Sequence, residues 1–105
     1  MNKGRENVVA GYMIVRVEVT DWEQYQKYME VTPGIVAQYG GRFIVRGGRT
    51  SALEGPEEST RVVVVEFPSF DRAVEFYNSP EYTEARRLRQ GAANAQFLAV
   101  EGVEG

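Results

Sequence analysis

The strongest structural signal in this chain is the segment Arg61-Val62-Val63-Val64-Val65-Glu66-Phe67. A strand with one face in water alternates apolar and polar residues, but these valines follow one another without a polar break. The segments Met13–Val15, Phe43–Val45 and Phe97–Val100 are similar. Both faces of the predicted sheet must be sheltered from water, and the chain has too few helices to cover both. A second copy of the chain is the simplest shelter, so the sequence predicts a homodimer or a higher assembly.

The size and charge of the chain fit one small domain that binds no polyanion. With 105 residues and a formal net charge of -3, we expect one domain at residues 11–105, preceded by a flexible leader at residues 1–10. Acidic and basic residues are interspersed, so we expect neither nucleic acid nor a membrane as a partner. The polar stretch Met1–Asn7 does not resemble a signal peptide, and no apolar run approaches the roughly 20 residues of a membrane span. These features predict a cytoplasmic protein.

The chain contains neither cysteine nor histidine. Thiolate nucleophiles, disulfides and imidazole bases or metal ligands are therefore excluded. The adjacent carboxylates Glu57 and Glu58 lack the spacing of a calcium-binding loop. We expect neither a metal nor a cofactor.

The first strand and helix have clear sequence signals. A strand at Gly11–Val19 is followed by Thr20 and Glu23, which have the spacing of a capping box and predict the start of a helix. Pro33 and Gly34 predict a break or a kink midway along that helix. The first helix therefore follows the first strand directly.

Further strands and helices follow the same kind of signals. In chain order they are a strand at Arg42–Arg46, a short strand at Thr50–Glu54, a strand at Arg61–Phe67, a helix after the N-cap Ser69, a helix from the N-cap Ser79 to about Gln90, and a strand at Gln96–Glu101. The main elements give the order of a ferredoxin-like split β-α-β domain, an α+β fold with a four-stranded antiparallel sheet and its helices on one face. Within it we expect strands one and three to lie parallel in the centre. The sheet face without helices would meet the partner chain.

Side-chain alternation divides the strand residues into two sets. The purely apolar set, predicted to face the helices, is Met13, Val15, Val17, Val19, Phe43, Val45, Val63, Val65, Phe67, Leu98 and Val100. The mixed set, predicted to face the partner, is Tyr12, Ile14, Arg16, Glu18, Arg42, Ile44, Arg46, Val62, Val64, Glu66, Phe97, Ala99 and Glu101.

Charges within the mixed set allow two interpretations. With parallel central strands, Arg16, Arg42 and Glu66 come to the same end of the face, and Arg46 lies nearer the other end. A carboxylate among guanidiniums on an apolar surface is either an ion-pair network at an interface or the anion-binding rim of a pocket. The network is favoured, because interface arginines usually have structural partners.

A second group of interest surrounds the start of the last helix. Tyr77 and Tyr82 flank the N-cap Ser79, where backbone amides favour an anion. The alternative, a tight joint between two helices with both tyrosines packed in the core, is favoured, because a serine-proline cap is primarily a folding signal. The arginines within Arg86–Arg89 are interpreted as a solvated face.

Several motifs together resemble one uncharacterised family over residues 11–103. They are Gly11-Tyr12, Ile14-Val15-Arg16-Val17, Tyr39-Gly40-Gly41-Arg42-Phe43, Val45-Arg46-Gly47-Gly48, Leu53-Glu54-Gly55, Val65-Glu66-Phe67-Pro68-Ser69, Tyr77, Ser79-Pro80-Glu81-Tyr82 and Arg89. The family is called domain of unknown function thirteen-thirty. The resemblance implies a dimeric α+β barrel, in which two ferredoxin-like sheets face one another. Its superfamily includes cofactor-independent monooxygenases, muconolactone isomerases, haem-binding chlorite dismutases and ligand-sensing domains, and the lack of histidine argues against haem.

Three functional hypotheses follow. The first is a dimeric domain that binds a small organic acid or aromatic metabolite in a pocket between the mixed face and the helices. The second is an enzyme resembling cofactor-independent monooxygenases or isomerases, with Glu66 as a base. The third is a non-catalytic structural or regulatory dimer. Arg16, Glu66 and Tyr77 are expected to converge on any pocket, and the full set of ligand-binding candidates is Tyr12, Arg16, Arg42, Arg46, Glu66, Tyr77, Ser79 and Tyr82.

Overall fold

The computed structural model describes residues 9–104. Its elements are β1 (Gly11–Val19), α1 (Trp22–Gln38), β2 (Arg42–Arg46), β3 (Arg61–Phe67), α2 (Phe70–Asn78), α3 (Pro80–Arg86) with a 3₁₀ turn at Arg87–Arg89, and β4 (Ala93–Glu101). The predicted leader lies outside the described residues except for Val9 and Ala10. No helix within the described residues is long and apolar enough to cross a membrane.

The strands form one four-stranded antiparallel sheet in the order β2-β3-β1-β4, as in a ferredoxin-like fold. The expectation that the central strands are parallel is wrong, because Gly11 lies opposite Phe67 and Val17 lies opposite Arg61. In the split β-α-β arrangement it is β1 and β2 that run in the same direction. β3 lies between them and runs the opposite way.

All helices pack on one face of the sheet, as predicted, and the core lies between the two layers. Its main members are Met13, Val15, Val17, Tyr25, Tyr28, Val36, Val63, Val65, Phe67, Ala73, Phe76 and Tyr82. We call the other side of the sheet the open face. It carries Tyr12, Ile14, Arg16, Val45, Val62, Val64, Glu66, Leu98 and Val100.

β4 presents the opposite side chains to those predicted. Phe97 lies opposite Val15 and faces the helices, as does Ala99, whereas Leu98 and Val100 belong to the open face. The prediction assigned the larger aliphatic residues to the core. Antiparallel pairing with β1 sets the alternation instead, and Leu98 remains 58% exposed.

β2 also departs from regular alternation. The pairing register shifts between Phe43 and Val45, with Ile44 as an additional residue, so that Arg46 lies opposite the buried Val63. Such a shift reverses the direction of every side chain that follows it. Val45 therefore faces the open side and Arg46 faces the helices, the reverse of the prediction.

The first helix starts and continues differently from the prediction. Asp21, not Thr20, is its N-cap, and its side chain accepts a hydrogen bond from the amide of Gln24 at 3.2 Å. The amide of Thr20 already donates to the Ala92 carbonyl at 2.8 Å. α1 runs unbroken through Pro33, so the predicted break is wrong.

The other cap predictions are confirmed, but one predicted strand is absent. Ser69 and Ser79 cap α2 and α3. Thr50–Glu54 lies in the loop between β2 and β3 and forms no strand. Both edges of β3 are already paired, with β1 and β2, so a strand there would find no partner on β3.

Candidate functional site

The charged residues of the open face form two separate groups. Glu66 accepts hydrogen bonds from Arg42 at 2.8 Å and from the hydroxyl of Tyr12 at 3.2 Å. Arg16 lies four residues along β1 from Tyr12, about 13 Å away, and pairs with Glu58 at 3.1 Å. The structure therefore brings Tyr12, Arg42 and Glu66 together and leaves Arg16 at the other end.

Glu66 is poorly suited to act as a base. The hydrogen bond from Arg42, with a smaller contribution from Tyr12, holds the pKa of Glu66 below its ordinary value. A general base near neutral pH needs a raised carboxyl pKa. This geometry instead fits the ion-pair interpretation of the open face.

The predicted residues around α3 lie on the helix side. Ser79 is buried at the joint between α2 and α3, where its hydroxyl donates to the carbonyl of Phe76 at 2.7 Å and accepts from the amide of Tyr82 at 3.1 Å. Tyr77 packs on the Phe97 ring at 5.3 Å. Tyr77 and Glu66 are on opposite sides of the sheet, so the expected convergence of Arg16, Glu66 and Tyr77 is wrong.

A small cavity lies between α1 and the helix-facing side of the sheet. We call it the interior cavity, and its free space is about 40 Å³. It is lined by Met13, Val15, Tyr25, Tyr28, Met29, Thr32, Val36, Phe43, Arg46, Arg61, Val63, Val65, Phe76, Tyr82 and Phe97. None of these lining residues is acidic. Within residues 9–104 no cluster of acidic side chains is arranged to hold a metal ion.

Two neighbouring arginines reach the cavity from β2 and β3. Arg46 donates to the carbonyl of Met29 at 3.1 Å, and its guanidinium lies 4.4 Å from the centre of the Phe43 ring. Arg61 faces the same side of the adjacent strand, and its Nε is buried without a hydrogen-bond partner among the described residues. Two like charges at neighbouring sheet positions repel each other. A bound anion would relieve that repulsion.

The opposite wall contains the tyrosine pair Tyr28 and Tyr82, and Arg89, which is not among the lining residues, packs next to this wall. The hydroxyls of Tyr28 and Tyr82 are 2.6 Å apart. Burial raises the pKa of both phenols, which keeps them protonated at neutral pH. Arg89 lies over the rings of Tyr28 and Phe97, at 5.4 and 5.1 Å, and its buried Nε has no partner in the described chain.

Tyr25 lines the cavity between these two walls. Burial raises its pKa, while the positive charges of Arg61, Arg89 and Arg46 act in the opposite direction. Ion pairs found among residues 9–104 include none of these three arginines. Among the residues that the structure describes, the arginines in and near the interior cavity therefore have no carboxylate partner.

Sequence reasoning included Arg46 and Tyr82 among the candidates but missed Arg61 and Arg89. Arg61 lies two residues before the buried Val63 and so shares its direction, a signal present in the sequence. Arg89 was assigned to a solvated face. Its packing against α1 and β4 depends on long-range contacts, for which the sequence carries no local signal.

Known structures share this architecture. A protein of unknown function from Rhodopseudomonas palustris is 24% identical with a TM-score of 0.71, and the match covers 96% of this chain and 89% of that one. SnoaB, a cofactor-independent oxygenase from Streptomyces nogalater, is 11% identical with a TM-score of 0.65 over 92% of this chain and 96% of its own. A dimeric ferredoxin-like protein of unknown function from Bacteroides fragilis is 13% identical with a TM-score of 0.53, over 88% and 95% respectively. At these identities the likeness concerns the fold alone.

Comparison of the sequence with known proteins and family models is more specific than the structural comparison. No curated protein matches the chain at a significant level. Residues 10–103, almost the whole chain, match the model of a family described as a domain of unknown function (DUF1330). The resemblance seen in the motifs is thus confirmed, and the chain belongs to the DUF1330 family.

Proposed function

We propose that this protein binds a small organic acid or aromatic metabolite in the interior cavity. The observation that carries the proposal is the pair Arg46 and Arg61 in the lining of an aromatic cavity, with no acidic side chain among the described lining residues and with the Nε of Arg61 buried and unpaired. Arg61 is half-buried, and charges in such positions are normally paired. An anionic ligand supplies the missing partner.

The cavity walls fit the rest of such a ligand. Tyr25, Tyr28 and Phe97 offer aromatic surfaces, and the protonated phenols of Tyr28 and Tyr82 can donate or accept hydrogen bonds. Binding sites of this kind are mostly apolar with a few polar groups that fix the orientation of the ligand.

The other ligand-binding candidates predicted from the sequence have different roles in the proposal. Tyr12, Arg16, Arg42 and Glu66 lie on the open face, where we propose that two copies of the chain meet as a homodimer. Two observations support the dimer: the apolar side chains exposed on the open face, and the dimeric Bacteroides fragilis protein of the same fold. Ser79 holds the helix joint that places Tyr82 in the cavity wall.

A catalytic role has one specific support. The phenols of Tyr28 and Tyr82 and the guanidinium of Arg89 form a group of donors beside the cavity, suited to stabilise negative charge that develops on a substrate. The oxygenase SnoaB has the same fold. Turnover of a bound compound, followed by mass spectrometry, separates an enzyme from a sensor.

A thermal-shift screen with small carboxylic acids tests the binding proposal. A ligand at one hundred times its Kd adds about 2.7 kcal/mol to the free energy of unfolding. Arg61→Met should weaken a hit by roughly 1.5 to 3 kcal/mol, because a hydrogen bond to a charged group is lost. Arg42→Met, which removes an arginine of the open face, is the matched control. Equal losses in the two variants, or no stabilisation by any acid, would contradict the proposal.

A further inference from the structure

We propose that the protein has a second binding site, in the cleft between α2 and β4, which takes a monoanion with an apolar body of one ring or a short chain. We call this space the β4 cleft. It is distinct from the interior cavity, because a different arginine, Arg89, binds the acidic group there.

The β4 cleft has room for such a ligand. Its free space is about 300 Å³, against about 40 Å³ in the interior cavity. Small-molecule sites in proteins generally measure roughly 300 to 1,000 Å³. Met13 and Phe97 line both spaces and lie between them. One ring with a short side chain therefore fits the cleft without entering the interior cavity.

The walls of the β4 cleft are apolar and only partly covered. The helix-facing side chains of β4 include Ala95, which is exposed, and Phe97 and Ala99, which are half-buried. Val74 of α2, on the other wall, is 36% exposed. The two alanines leave open the space that larger side chains would fill. The apolar body of a ligand would cover these walls.

Arg89 supplies the positive charge of the β4 cleft. It is half-buried, and its Nε is buried without a hydrogen-bond partner in the described chain. None of the ion pairs found among residues 9–104 includes it, and no acidic residue is among the described residues that line the cleft. Charges in half-buried positions are normally paired. The acidic group of a ligand in the cleft would pair with Arg89.

Tyr77 and Arg86 add donors at the same end of the cleft. Tyr77 and Arg89 line both the β4 cleft and a more polar space next to it, which Arg86 also lines. Arg86 donates a hydrogen bond to the hydroxyl of Tyr77, and its guanidinium lies 5.1 Å from the centre of that ring. A phenol that accepts one hydrogen bond still has its own hydrogen to donate. This end therefore suits the acidic group, and the apolar body extends toward Val74 and Ala99.

A matched pair of probes tests the charge requirement. We would measure, by isothermal titration calorimetry at near-neutral pH, the binding of phenylacetate and of phenylacetamide, which has nearly the same shape and no charge. Phenylacetate should bind at least about ten-fold more tightly, because only its charge is stabilised by the guanidinium. In ¹⁵N–¹H NMR spectra it should shift the signals of Asn78, Ala95 and Ala99, which line or border the cleft, more than that of Thr32, which lines the interior cavity.

Substitutions locate the site. Arg89→Met should weaken phenylacetate binding by at least about ten-fold, because a hydrogen bond to a charged group is lost. Arg87→Met, which removes an exposed arginine of the same 3₁₀ turn, and Arg61→Met, in the interior cavity, should each change the affinity by less than two-fold. Ala95→Phe, at an exposed position, should abolish binding by filling the cleft while Arg89 stays in place.

The outcomes separate the β4 cleft from the interior cavity. If Arg61→Met weakens phenylacetate binding and Ala95→Phe does not, the acid binds in the interior cavity, and the second site is wrong while the proposed function stands. Equal losses in Arg87→Met and Arg89→Met would also contradict the second site, because overall charge would then explain the binding. Failure of phenylacetate to bind the wild-type protein at millimolar concentration would overturn the β4 cleft alone, since the thermal-shift screen tests the interior cavity separately.

Discussion

The backbone carbonyl of Met29 links Pro33 in α1 to Arg46 in β2. Proline has no amide hydrogen, so the carbonyl of Met29, four residues earlier in α1, loses its helical donor. The guanidinium of Arg46 donates to that carbonyl at 3.1 Å. An arginine of the sheet thus replaces the missing helical hydrogen bond, and the same contact holds Arg46 beside the cavity.

A double-mutant cycle measures this relation. Arg46→Met should lower the free energy of unfolding by about 1 kcal/mol, because the Met29 carbonyl is left without a donor. In a Pro33→Ala background the restored amide satisfies that carbonyl, so the same substitution should cost clearly less. Urea denaturation of the four proteins gives the coupling energy.

The control for that cycle is Arg49→Met, an exposed loop residue. Arg49→Met should lower the free energy of unfolding by the same amount in the wild-type protein and in the Pro33→Ala variant. A coupling energy between Pro33 and Arg46 no larger than that between Pro33 and Arg49 would show that the contact is not significant in solution.

At the level of elements, one serine terminates α2 and starts α3. Ser79 is 4% exposed, and its hydroxyl both donates to the Phe76 carbonyl and accepts from the Tyr82 amide. Ser69 only accepts, from the amide of Arg72 at 3.0 Å, and is half-buried. The two caps therefore differ in burial and in the number of backbone groups that they satisfy.

Alanine substitutions at Ser69 and Ser79 should show which cap contributes more to the free energy of unfolding. Ser69→Ala should cost about 1 kcal/mol, the usual value for an N-cap. Ser79→Ala should cost about 2 to 3 kcal/mol, because it also leaves a buried carbonyl without its donor. Equal losses in urea denaturation would mean that water or a shift of the helix joint replaces the second hydrogen bond.

The sequence predicted elements best where local chemistry determines them. Ser69 and Ser79 cap helices because their hydroxyls satisfy amides a few residues away, and such contacts are visible in the sequence. The direction of Phe97 depends on pairing with β1, more than 70 residues away. The register shift at Ile44 depends on pairing with β3. Long-range pairing, which sequence alternation does not reveal, explains these errors.

The candidate site was predicted in part for the same reason. Arg46 and Tyr82 were among the candidates, but Arg46 was placed on the wrong side of the sheet because the shift at Ile44 was not visible. Arg89 lies near Tyr28 only because the 3₁₀ turn packs on α1, far away in sequence. The cavity is assembled by tertiary contacts, so local motifs did not predict it.

At the level of the whole molecule, we propose that the open face determines assembly. Ile14, Val64, Leu98 and Val100 form an apolar surface on the side without helices. Covering it with a second copy would bury at least the roughly 1,200 Å² of a specific interface. Sedimentation equilibrium at micromolar concentration should therefore show a dimer.

Substitutions at the adjacent residues Val63 and Val64 should distinguish effects on assembly from effects on folding. Val64→Asp should weaken the dimer strongly, because it places an unpaired charge in the proposed interface. Val63→Asp, in the core, should chiefly unfold the subunit, which circular dichroism and urea denaturation would show. A wild-type monomer, or equal dimerisation of the two variants, would contradict the proposed interface.

The register shift in β2 also determines how this strand responds to a change of length. Phe43 and Arg46 both face the helices although they are three positions apart, because Ile44 is additional. Loss of the Ile44 codon would restore even alternation and keep the arginine inside. One codon gained after Val45, with the earlier pairing unchanged, would turn the arginine outward and place the new side chain in the cavity. Related proteins could therefore lose one of the two arginines of the proposed anion site through a single-codon insertion, without any substitution.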